Sequence, residues 1–285
     1  MKNPRLAIIC PIYNAKKYIP DFLESFKKQT FSNFKLFIID DGSVDGSSAL
    51  IKEIFPNVVI IQGDGNYWWT KSINKGIKDA LVFNPNYFLL INVDLIVEEN
   101  YLETLLKYIP NDNTIIGSAQ YDINNRKLIS LGGNRNWLTA KDIQNIDIYP
   151  NSDKILLPVS HFCGRGLLIP AVLIRTLGLF DEKRFPHYAA DDVYTFVAAK
   201  KGVKVVCNKL AKIYSDQENT GITKLFSELS LSNFYNYITS IKSSGNLKIR
   251  WRAAFYIAPK KYLIPYVFID TIRTIGSYIK SFLMK

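Results

Sequence analysis

Short apolar runs alternate with amphipathic stretches along the first third of the chain. Four runs have the length and composition of buried strands: Arg5–Cys10, Phe34–Ile39, Asn57–Gln62 and Tyr87–Ile91. Three stretches between them carry apolar residues at helical spacing: Tyr18–Gln29, Asp45–Phe55 and Trp69–Phe83. Strands that alternate with helices in this way predict an α/β fold, in which helices cover both faces of a mostly parallel sheet.

The rest of the chain has a less regular pattern. Strands are predicted at Thr114–Ala119, Lys127–Leu131, Leu167–Ile169 and Val203–Cys207, and helices at Asp191–Lys201 and Leu225–Ile241. The stretch Asn134–Ser152 is polar and irregular, which predicts a surface loop. The sequence SSGN at Ser243–Asn246 predicts a break. We therefore divide the chain into a domain of residues 1–240 and a C-terminal segment of residues 241–285.

The net charge of +11 is concentrated in the C-terminal segment. From Ile241 onward the chain has nine Lys or Arg residues and one acid, Asp270, so +8 of the charge lies there and +3 in the first 240 residues. A nearly neutral body with 48% hydrophobic residues is typical of an ordinary packed core. The excess of cations is therefore a property of the C-terminal segment alone.

Cysteine use and the N-terminus both indicate a cytoplasmic protein. The three cysteines, Cys10, Cys163 and Cys207, are odd in number, and two of them lie inside apolar runs. This pattern favours reduced thiols over a disulfide scaffold. The apolar run near the N-terminus is too short for the hydrophobic region of a signal peptide.

Acidic and amide residues collect at the predicted carboxyl ends of three strands. The residues concerned are Tyr13, Asn14, Asp40, Asp41, Asn92 and Asp94. Ligands of parallel α/β sheets bind beyond this edge. A carboxylate such as Asp94 can hold Mg²⁺ or Mn²⁺ there, since these ions use one or two carboxylates together with ligand phosphates. The alternative is that Asp94 caps a helix starting near Glu98. Two histidines in the whole chain argue against a His-rich zinc site.

Asp40 and Asp41 are adjacent carboxylates, which repel each other unless a partner engages them. The imide N–H of a nucleobase and the hydroxyls of a ribose are suitable partners. The alternative is a turn in which Asp41 or Ser43 caps the next helix, because Asp-Gly with nearby Ser is common in turns.

Several motifs together resemble a known family. Pro11–Asn14 (PIYN), Gln29–Phe31 (QTF) and Phe34–Ser43, which ends in DDGS, resemble the opening of a family-2 glycosyltransferase with the GT-A fold. Gly65–Thr70 (GNYWWT) through Asn74–Gly76, Cys163–Pro170 (CGRGLLIP) and Pro186–Asp192 (PHYAADD) resemble its rhamnosyltransferase-like branch. The matches cover about residues 5–210, and their order and spacing carry the resemblance.

The resemblance implies that part of the site binds a nucleotide-sugar donor. Donor nucleotide contacts fall on Pro11, Tyr13, Asn14, Asp40, Asp41, Asn66 and Asn92. Tyr13 would stack on the base and Asp41 would hydrogen-bond to it. Asp94 would bind a Mn²⁺ or Mg²⁺ ion that bridges the two phosphates. The family has a second acid shortly before this position, where this chain has Asn92.

The resemblance also implies a catalytic base at the start of a helix. Asp191 matches this position best, eleven residues before Gly202, and Asp192 is the second candidate. The family's preceding Glu is Ala190 here, and a later Arg is Val197. The base would take the proton of an acceptor hydroxyl as it attacks the anomeric carbon, and the metal would stabilise the departing nucleoside diphosphate, so that the configuration inverts. An alternative role for Asp191 is the N-cap of its helix.

Four further residues are candidates for contact with the donor or acceptor sugar. Trp68 and Trp69 offer aromatic faces for stacking on a sugar, or else pack in the core at a helix start. Arg165, within Cys163–Gly166, suits bidentate contact with phosphate, or else this stretch is a turn before a strand. His187 is a candidate for orienting a substrate hydroxyl, or else is a structural histidine.

The segment Trp251–Lys285 mixes aromatic and aliphatic residues with cations. Charges interrupt its apolar runs before any reaches the roughly 20 residues that span a bilayer, and Pro259 and Pro265 predict breaks in a continuous helix. A basic amphipathic helical segment suits the surface of an anionic cytoplasmic leaflet. It agrees with a lipid-linked glycan acceptor in bacterial surface-polysaccharide or glycolipid assembly. The alternatives are packing on the protein's own core and a contact between copies in a homo-oligomer.

Three other functions compete with this interpretation. A sugar-phosphate nucleotidyltransferase would have a Gly-rich, Arg-containing loop after the first strand, where this chain has Pro11–Asn14. A dinucleotide-binding enzyme would have the GxGxxG sequence at the same place. A basic nucleic-acid-binding protein is suggested by the charge, but the cations lie away from any recognisable binding module.

Overall fold

The computed structural model describes residues 4–149, 152–216 and 230–283. The strands are β1 (Leu6–Ile12), β2 (Phe34–Asp40), β3 (Val59–Gln62), β4 (Tyr87–Leu90), β5 (Leu95–Val97), β6 (Thr114–Asp122), β7 (Leu128–Ser130), β8 (Gly133–Asn136), β9 (Lys141–Gln144), β10 (Leu156–Pro158), β11 (Leu167–Pro170) and β12 (Lys204–Ser215). The α-helices are α1 (Ile19–Lys27), α2 (Ser47–Ile54), α3 (Trp68–Ala80), α4 (Tyr101–Lys107), α5 (Asn145–Ile148), α6 (Ala171–Leu177), α7 (Ala190–Lys200), α8 (Leu231–Thr239), α9 (Leu247–Ile257) and α10 (Leu263–Leu283). Stretches of 3-10 helix occupy Leu81–Phe83 and Lys260–Tyr262.

The predicted α/β fold is confirmed, and its parallel part is built by the first four strands. β3, β2, β1 and β4 lie side by side in that order and pair in parallel. Side chains alternate between the two faces along a strand. Ile9 of β1 therefore packs with Ile73 and Ile77 of α3, while Ile8 packs on the other face with Phe22 of α1. Burial on both faces explains why these strands are uninterrupted apolar runs.

The second part of the sheet mixes parallel and antiparallel strands. β11 runs antiparallel between β4 and β6, β12 pairs in parallel with β6, and β10 lies antiparallel to β12. The strand predicted at Val203–Cys207 is longer than its apolar run, because β12 continues beyond a register shift between Asn208 and Lys212 to pair with β5. This pairing fixes β5, and with it the preceding Asp94, to the sheet.

Helix α3 lies close to the sheet because of one glycine. A Cβ atom on Gly76 would stand 2.6 Å from both Ile9 Cγ2 and Ile39 Cδ1. Any other residue would push α3 away from β1 and β2. The position of α3 decides where its first two residues, Trp68 and Trp69, stand at the carboxyl edge of the sheet.

The surface loop predicted over Asn134–Ser152 is wrong for most of its length. The two-stranded hairpin of β8 and β9 and the single turn α5 occupy much of it. The buried side-chain amide of Asn145 donates to the carbonyl oxygens of Leu131 (3.2 Å) and Pro158 (3.0 Å), which ties this region to the sheet. The polar composition hid the hairpin, because its two strands pair with each other without an alternating apolar face.

The C-terminal segment is helical, as predicted, and its first helix packs on the core. Ile249 and Ile257 of α9 are buried in the same cluster as residues of α7. Arg250 Nε donates to Asp270 Oδ2 (2.8 Å), and this charged pair joins α9 to α10. Before this segment, the helix predicted over Leu225–Ile241 is present as α8, and residues 225–229 lie outside the described residues.

One of the two helix breaks predicted from proline is wrong. Pro265 lies in the first turn of α10, where backbone N–H groups have no partner within the helix, so proline is tolerated. Pro259 does separate α9 from the 3-10 turn Lys260–Tyr262. Within the described ranges, every helix is too short or too polar to cross a bilayer.

Candidate active site

The loops that follow β1 and β2 are locked together at the carboxyl edge of the sheet. The Asn14 N–H donates to Ser43 Oγ (2.8 Å), and the Val44 N–H donates to Asn14 Oδ1 (2.9 Å). Asn14 has a left-handed backbone with a φ of 48°, which Asn adopts more readily than most residues. Asn14 thus joins the two loops through its hydrogen bonds. The contact predicted between Asn14 and a donor nucleotide stays a prediction.

The protein itself engages both adjacent carboxylates. Asp40 is buried and accepts hydrogen bonds from the Ser43 N–H (2.8 Å) and the Ser48 hydroxyl. The Asp41 carboxylate accepts three backbone N–H groups at 2.9 to 3.0 Å, those of Gly65, Tyr67 and Trp68. The expected repulsion is therefore relieved without a ligand. The capping alternative is also wrong, because α2 begins after Gly46 without a side-chain cap.

A cavity of about 380 Å³ opens beside Asp41, within the range typical of small-molecule sites. Its lining comes from the edge loops, the start of α3 and the C-terminal half: Pro11, Ile12, Tyr13, Asp41, Gly65, Trp68, Trp69, Ser72, His187 and Lys242. Six residues predicted for the donor or the sugar are in this set. The side chain of Tyr13 is 63% exposed, so its ring is available for stacking. Four predicted donor residues do not line the cavity: Asn14, Asp40, Asn66 and Asn92.

Trp69 connects the cavity to the loop that precedes β11. Its Nε1–H donates to Asn92 Oδ1 (3.2 Å). Its ring lies against Gly164, where an added Cβ would stand 2.2 Å from the ring, so glycine is required for this contact. The ring also meets Phe180 edge-on, with centroids 6.0 Å apart. Trp69 therefore packs on the core and lines the cavity at once.

Asp94 carries a carboxylate oxygen that the protein leaves unsatisfied. Arg165 Nη2 donates to Asp94 Oδ2 (3.1 Å). Asp94 Oδ1 is buried and, among the described residues, has no hydrogen-bond partner. A buried acceptor without a partner is costly, which favours a metal ion or a substrate donor at this atom. The capping alternative is wrong, because α4 begins at Tyr101 after Asn100.

The residues present fit a metal ion that arrives with its substrate. Over the parts of the chain that the structure describes, no three His, Cys, Asp or Glu side chains are grouped to hold a metal. Asp94 offers one carboxylate, and Asn92 Oδ1 already accepts from Trp69. Mg²⁺ and Mn²⁺ can be held by a single carboxylate when phosphates and water complete the coordination shell. A site in which Asp94 is the single protein carboxylate therefore fits the predicted ion.

Asp191 stands in the first turn of α7, beside the same loop. The Gly164 N–H donates to Asp191 Oδ2 (2.6 Å), and the Asp192 N–H donates to Asp191 Oδ1 (3.0 Å). Burial, together with the charge of Asp192, raises the pKa of Asp191 to about 6. A carboxylate with this pKa is ionised at neutral pH and accepts a proton readily. The N-cap of α7 is Ala189, so Asp191 does not have that role.

Asp192 faces a polar cluster that the sequence did not indicate. His161 Nε2 lies 3.9 Å from Asp192 Oδ1 and 3.5 Å from Asp142 Oδ2, and Arg135 Nη2 donates to Asp142 Oδ2 (3.3 Å). Burial lowers the pKa of His161, but the carboxylates of Asp192 and Asp142 outweigh it and raise that pKa overall. A cavity of about 220 Å³ opens beside the cluster. Its members come from distant parts of the chain, so no motif could reveal them.

His187 and Lys242 complete the first cavity from the second half of the chain. The His187 ring meets Trp68 edge-on, with centroids 5.7 Å apart. Its Nδ1 atom is buried and finds no hydrogen-bond partner in the described ranges. Burial, and then the charge of Lys242, lower the pKa of His187, so its ring is neutral at neutral pH. Lys242 was not predicted for this site, because the charge pattern placed it with the basic C-terminal segment.

Sequence comparison gives the chain a family. Residues 7–170, more than half of the chain, match the profile described as Glycosyl transferase family 2. An uncharacterized glycosyltransferase of Rickettsia prowazekii is 25% identical over 191 residues, which are 65% of this chain and 56% of that protein. Glycosyltransferase GlyG of Streptococcus pneumoniae is 27% identical over 119 residues, which are 41% of this chain and 38% of that protein. The chain thus matches little more than half of the first relative's length.

Structural comparison gives the fold. TarS residues 1–349 of S. aureus, in complex with UDP, align with a TM-score of 0.59 and 15% identity, over 97% of this chain and 92% of that one. Mannosyltransferase PcManGT of Pyrobaculum calidifontis, in complex with GDP-Man and Mn²⁺, aligns with a TM-score of 0.64 and 13% identity, over 99% of this chain and 75% of that one. These neighbours have the GT-A architecture that the motifs predicted, and at this level of identity the likeness concerns the fold alone.

Proposed function

Because this chain belongs to glycosyl transferase family 2, we propose that it moves a sugar from a nucleotide-sugar donor to an acceptor hydroxyl, with inversion at the anomeric carbon. One observation carries the proposal. An aromatic cavity at the strand ends, bordered by Tyr13 and Trp68, is joined through Trp69 and Asn92 to the corner that holds the unsatisfied oxygen of Asp94. A nucleotide in the cavity and its phosphates at Asp94 would use both parts.

The donor base is assigned to the side of the cavity formed by the edge loops. The exposed ring of Tyr13 can stack on a base, next to Pro11. Asp41 has about four acceptor positions on its carboxylate and uses three for backbone N–H groups, so one remains for a base N–H. The donor is a UDP-, dTDP- or GDP-linked sugar, either a hexose or rhamnose.

The corner around Asp94 is assigned to the diphosphate. When bound, a Mn²⁺ or Mg²⁺ ion would neutralise the diphosphate and make it a better leaving group. The chain supplies Asp94 Oδ1 as the ligand atom, and Arg165 holds the carboxylate in place through Oδ2.

Asp191 is assigned as the general base, with Asp192 as the second candidate. The acceptor O–H gives its proton to the Asp191 carboxylate as the oxygen bonds to the anomeric carbon, and the bond from that carbon to the diphosphate breaks. The Gly164 N–H donates to the carboxylate, and Gly164 also touches Trp69, which lines the cavity; this connection supports a base beside the donor. His187 Nδ1 has no partner among the described residues, and we assign it a hydrogen bond with a substrate hydroxyl, whose direction depends on the ring tautomer.

A lipid-linked glycan is the acceptor that we propose, with the enzyme peripheral on the anionic inner face of the cell membrane. Helix α10 exposes a row of apolar side chains: Ile264, Phe268, Ile272 and Ile279. Lys260 and Lys261 are exposed at its start. Apolar insertion and cationic attraction are the two terms that hold a helix on an anionic surface. Sedimentation with phosphatidylglycerol vesicles tests this. Self-association measured in their absence would instead favour an oligomer contact.

The activity is tested by a thermal-shift panel of UDP-, dTDP- and GDP-sugars with and without Mn²⁺, followed by turnover on lipid-linked acceptors. We expect one donor class to stabilise the protein, more strongly with Mn²⁺. Release of pyrophosphate from a nucleoside triphosphate and a sugar phosphate would instead identify a nucleotidyltransferase. Salt-sensitive binding of nucleic acid without any response to nucleotide sugars would instead identify a nucleic-acid-binding protein.

A further inference from the structure

Lys242 brings a cation of the C-terminal segment to the donor cavity. It lines the cavity together with Trp68 and His187, and its Nζ atom lies 5.6 Å from the centre of the Trp68 ring. Among the described residues, no carboxylate forms a salt bridge with it. The charge is therefore available to a ligand of the cavity.

The turn that carries Lys242 is held firmly between α8 and α9. The Asn246 side-chain amide donates to the Thr239 carbonyl (2.6 Å), and Asn246 Oδ1 accepts from the N–H of Ile249 to cap α9. Gly245 lies against the ring of Tyr237, where an added Cβ would be 2.3 Å from the nearest ring atom. The backbone at Lys242 is thus fixed relative to the cavity, so a ligand would have to order only its side chain.

Among the described residues that line the cavity, Lys242 is the only lysine or arginine. Asp94 is the only carboxylate that we assign to the metal, and Arg165 already pairs with it. A diphosphate brings at least two negative charges, and Lys is a common phosphate ligand in nucleotide sites. Lys242 lines the cavity and can supply a positive charge besides that of the metal.

We propose that Lys242 is a phosphate-binding residue of the donor site, whose ammonium group pairs with the diphosphate of the nucleotide sugar. The inference rests on the proposed function and goes beyond it, because it makes the C-terminal segment part of the donor site. The segment then has two roles, with Lys242 on its inner side and the exposed row of α10 on its outer side.

Calorimetric titration of Lys242→Met tests the proposal. This variant keeps the aliphatic stem and removes the charge, and Lys248→Met is the matched control on the exposed surface of α9. Each protein is titrated with the nucleoside, its monophosphate and its diphosphate, with Mn²⁺ present. We expect Lys242→Met to weaken diphosphate binding about tenfold and to leave nucleoside binding unchanged. Lys242→Arg should recover most of the loss, and Lys248→Met should match the wild type.

The outcomes distinguish a failure of the assignment of Lys242 from a failure of the proposed function. Equal diphosphate affinity in Lys242→Met and the wild type would overturn the assignment of Lys242 and leave the transferase in place. A wild type that binds no nucleoside diphosphate would overturn the proposed function, and Lys242 with it.

A second measurement checks the position of Lys242 without any ligand. The chain has two histidines, His161 and His187, so each can be followed by NMR titration. Because the charge of Lys242 lowers the pKa of His187, Lys242→Met should raise the pKa of His187 and leave that of His161 unchanged. If the pKa of His187 were the same in Lys242→Met and the wild type, the ammonium group would not face the cavity.

Discussion

Two groups of carboxylates stand at one edge of the sheet, and they differ in how completely the protein compensates their charge. Asp40 and Asp41 are engaged by backbone N–H groups and a serine hydroxyl. Asp94 keeps one oxygen without a partner in the described part of the chain, and Asp191 is buried next to the charge of Asp192. Carboxylates whose acceptors are filled stabilise loops, whereas an oxygen without a partner or a neighbouring like charge favours the binding of a metal or a proton. A carboxylate at the end of a strand therefore cannot be assigned a chemical role until its hydrogen-bond partners are known.

The largest effect is expected at Asp191. Asp191→Asn should lower kcat about a thousandfold, because an amide cannot accept the acceptor's proton, and should leave the donor Kd nearly unchanged. Steady-state turnover and calorimetry measure the two quantities. Asp192→Asn is the control, with a smaller loss of kcat. A larger loss in Asp192→Asn would make Asp192 the base.

Asp94→Ala should have the next largest effect. Removal of the unsatisfied carboxylate should abolish the part of donor binding that depends on Mn²⁺ and lower kcat/KM about a hundredfold. A thermal shift with donor, recorded with and without Mn²⁺, measures the first effect. If Mn²⁺ still added stability to the donor complex of the variant, the metal would have to be held elsewhere.

Asp41→Ala should lower the stability of the folded protein. Three backbone N–H groups lose a charged acceptor, so we expect the free energy of unfolding to fall by about 2–3 kcal/mol in urea denaturation. Asp94→Ala is the matched comparison, and its unfolding free energy should change by less than about 1 kcal/mol, because removal of the unsatisfied Oδ1 offsets the loss of the ion pair with Arg165. The reverse order would contradict the distinction between engaged and unsatisfied carboxylates.

The pH dependence gives the smallest effect. Burial and Asp192 favour the protonated form of Asp191, so its pKa is raised to about 6, and the base is lost as the pH falls through that value. The rate should therefore rise with pH around 6. Asp192→Asn removes one of the two causes, so the acidic limb of the kcat/KM profile should move to lower pH, by less than about one unit. A shift to higher pH would exclude Asp191 as the group observed.

The sequence predicted the parts of the molecule that depend on local patterns. The parallel strands β1–β4 were found because burial on both faces leaves apolar runs, and the cavity residues Tyr13, Asp41 and Trp68 follow strand ends or start a helix. The family resemblance then joined residues as distant as Asp94 and Asp191 into one site. Their roles in donor binding and catalysis stay predictions.

The parts that were missed depend on contacts between distant residues. The partners of Asp41 are backbone groups some 25 residues later, which no side-chain pattern reveals. The cluster of His161, Asp142 and Asp192 forms only when the β8–β9 hairpin folds over α7. Lys242 was counted with the other cations of the C-terminal segment, because its sequence position does not show which way its turn faces.

The pairing of Arg250 with Asp270 has a consequence for the surroundings of the protein. Asp270 is the only acid from residue 241 onward, and it is 3% exposed. Since its charge is cancelled inside the fold, the potential outside this segment comes from lysines and arginines alone. An approaching anion therefore experiences attraction of one sign, which fades over a Debye length of about 8 Å at physiological salt.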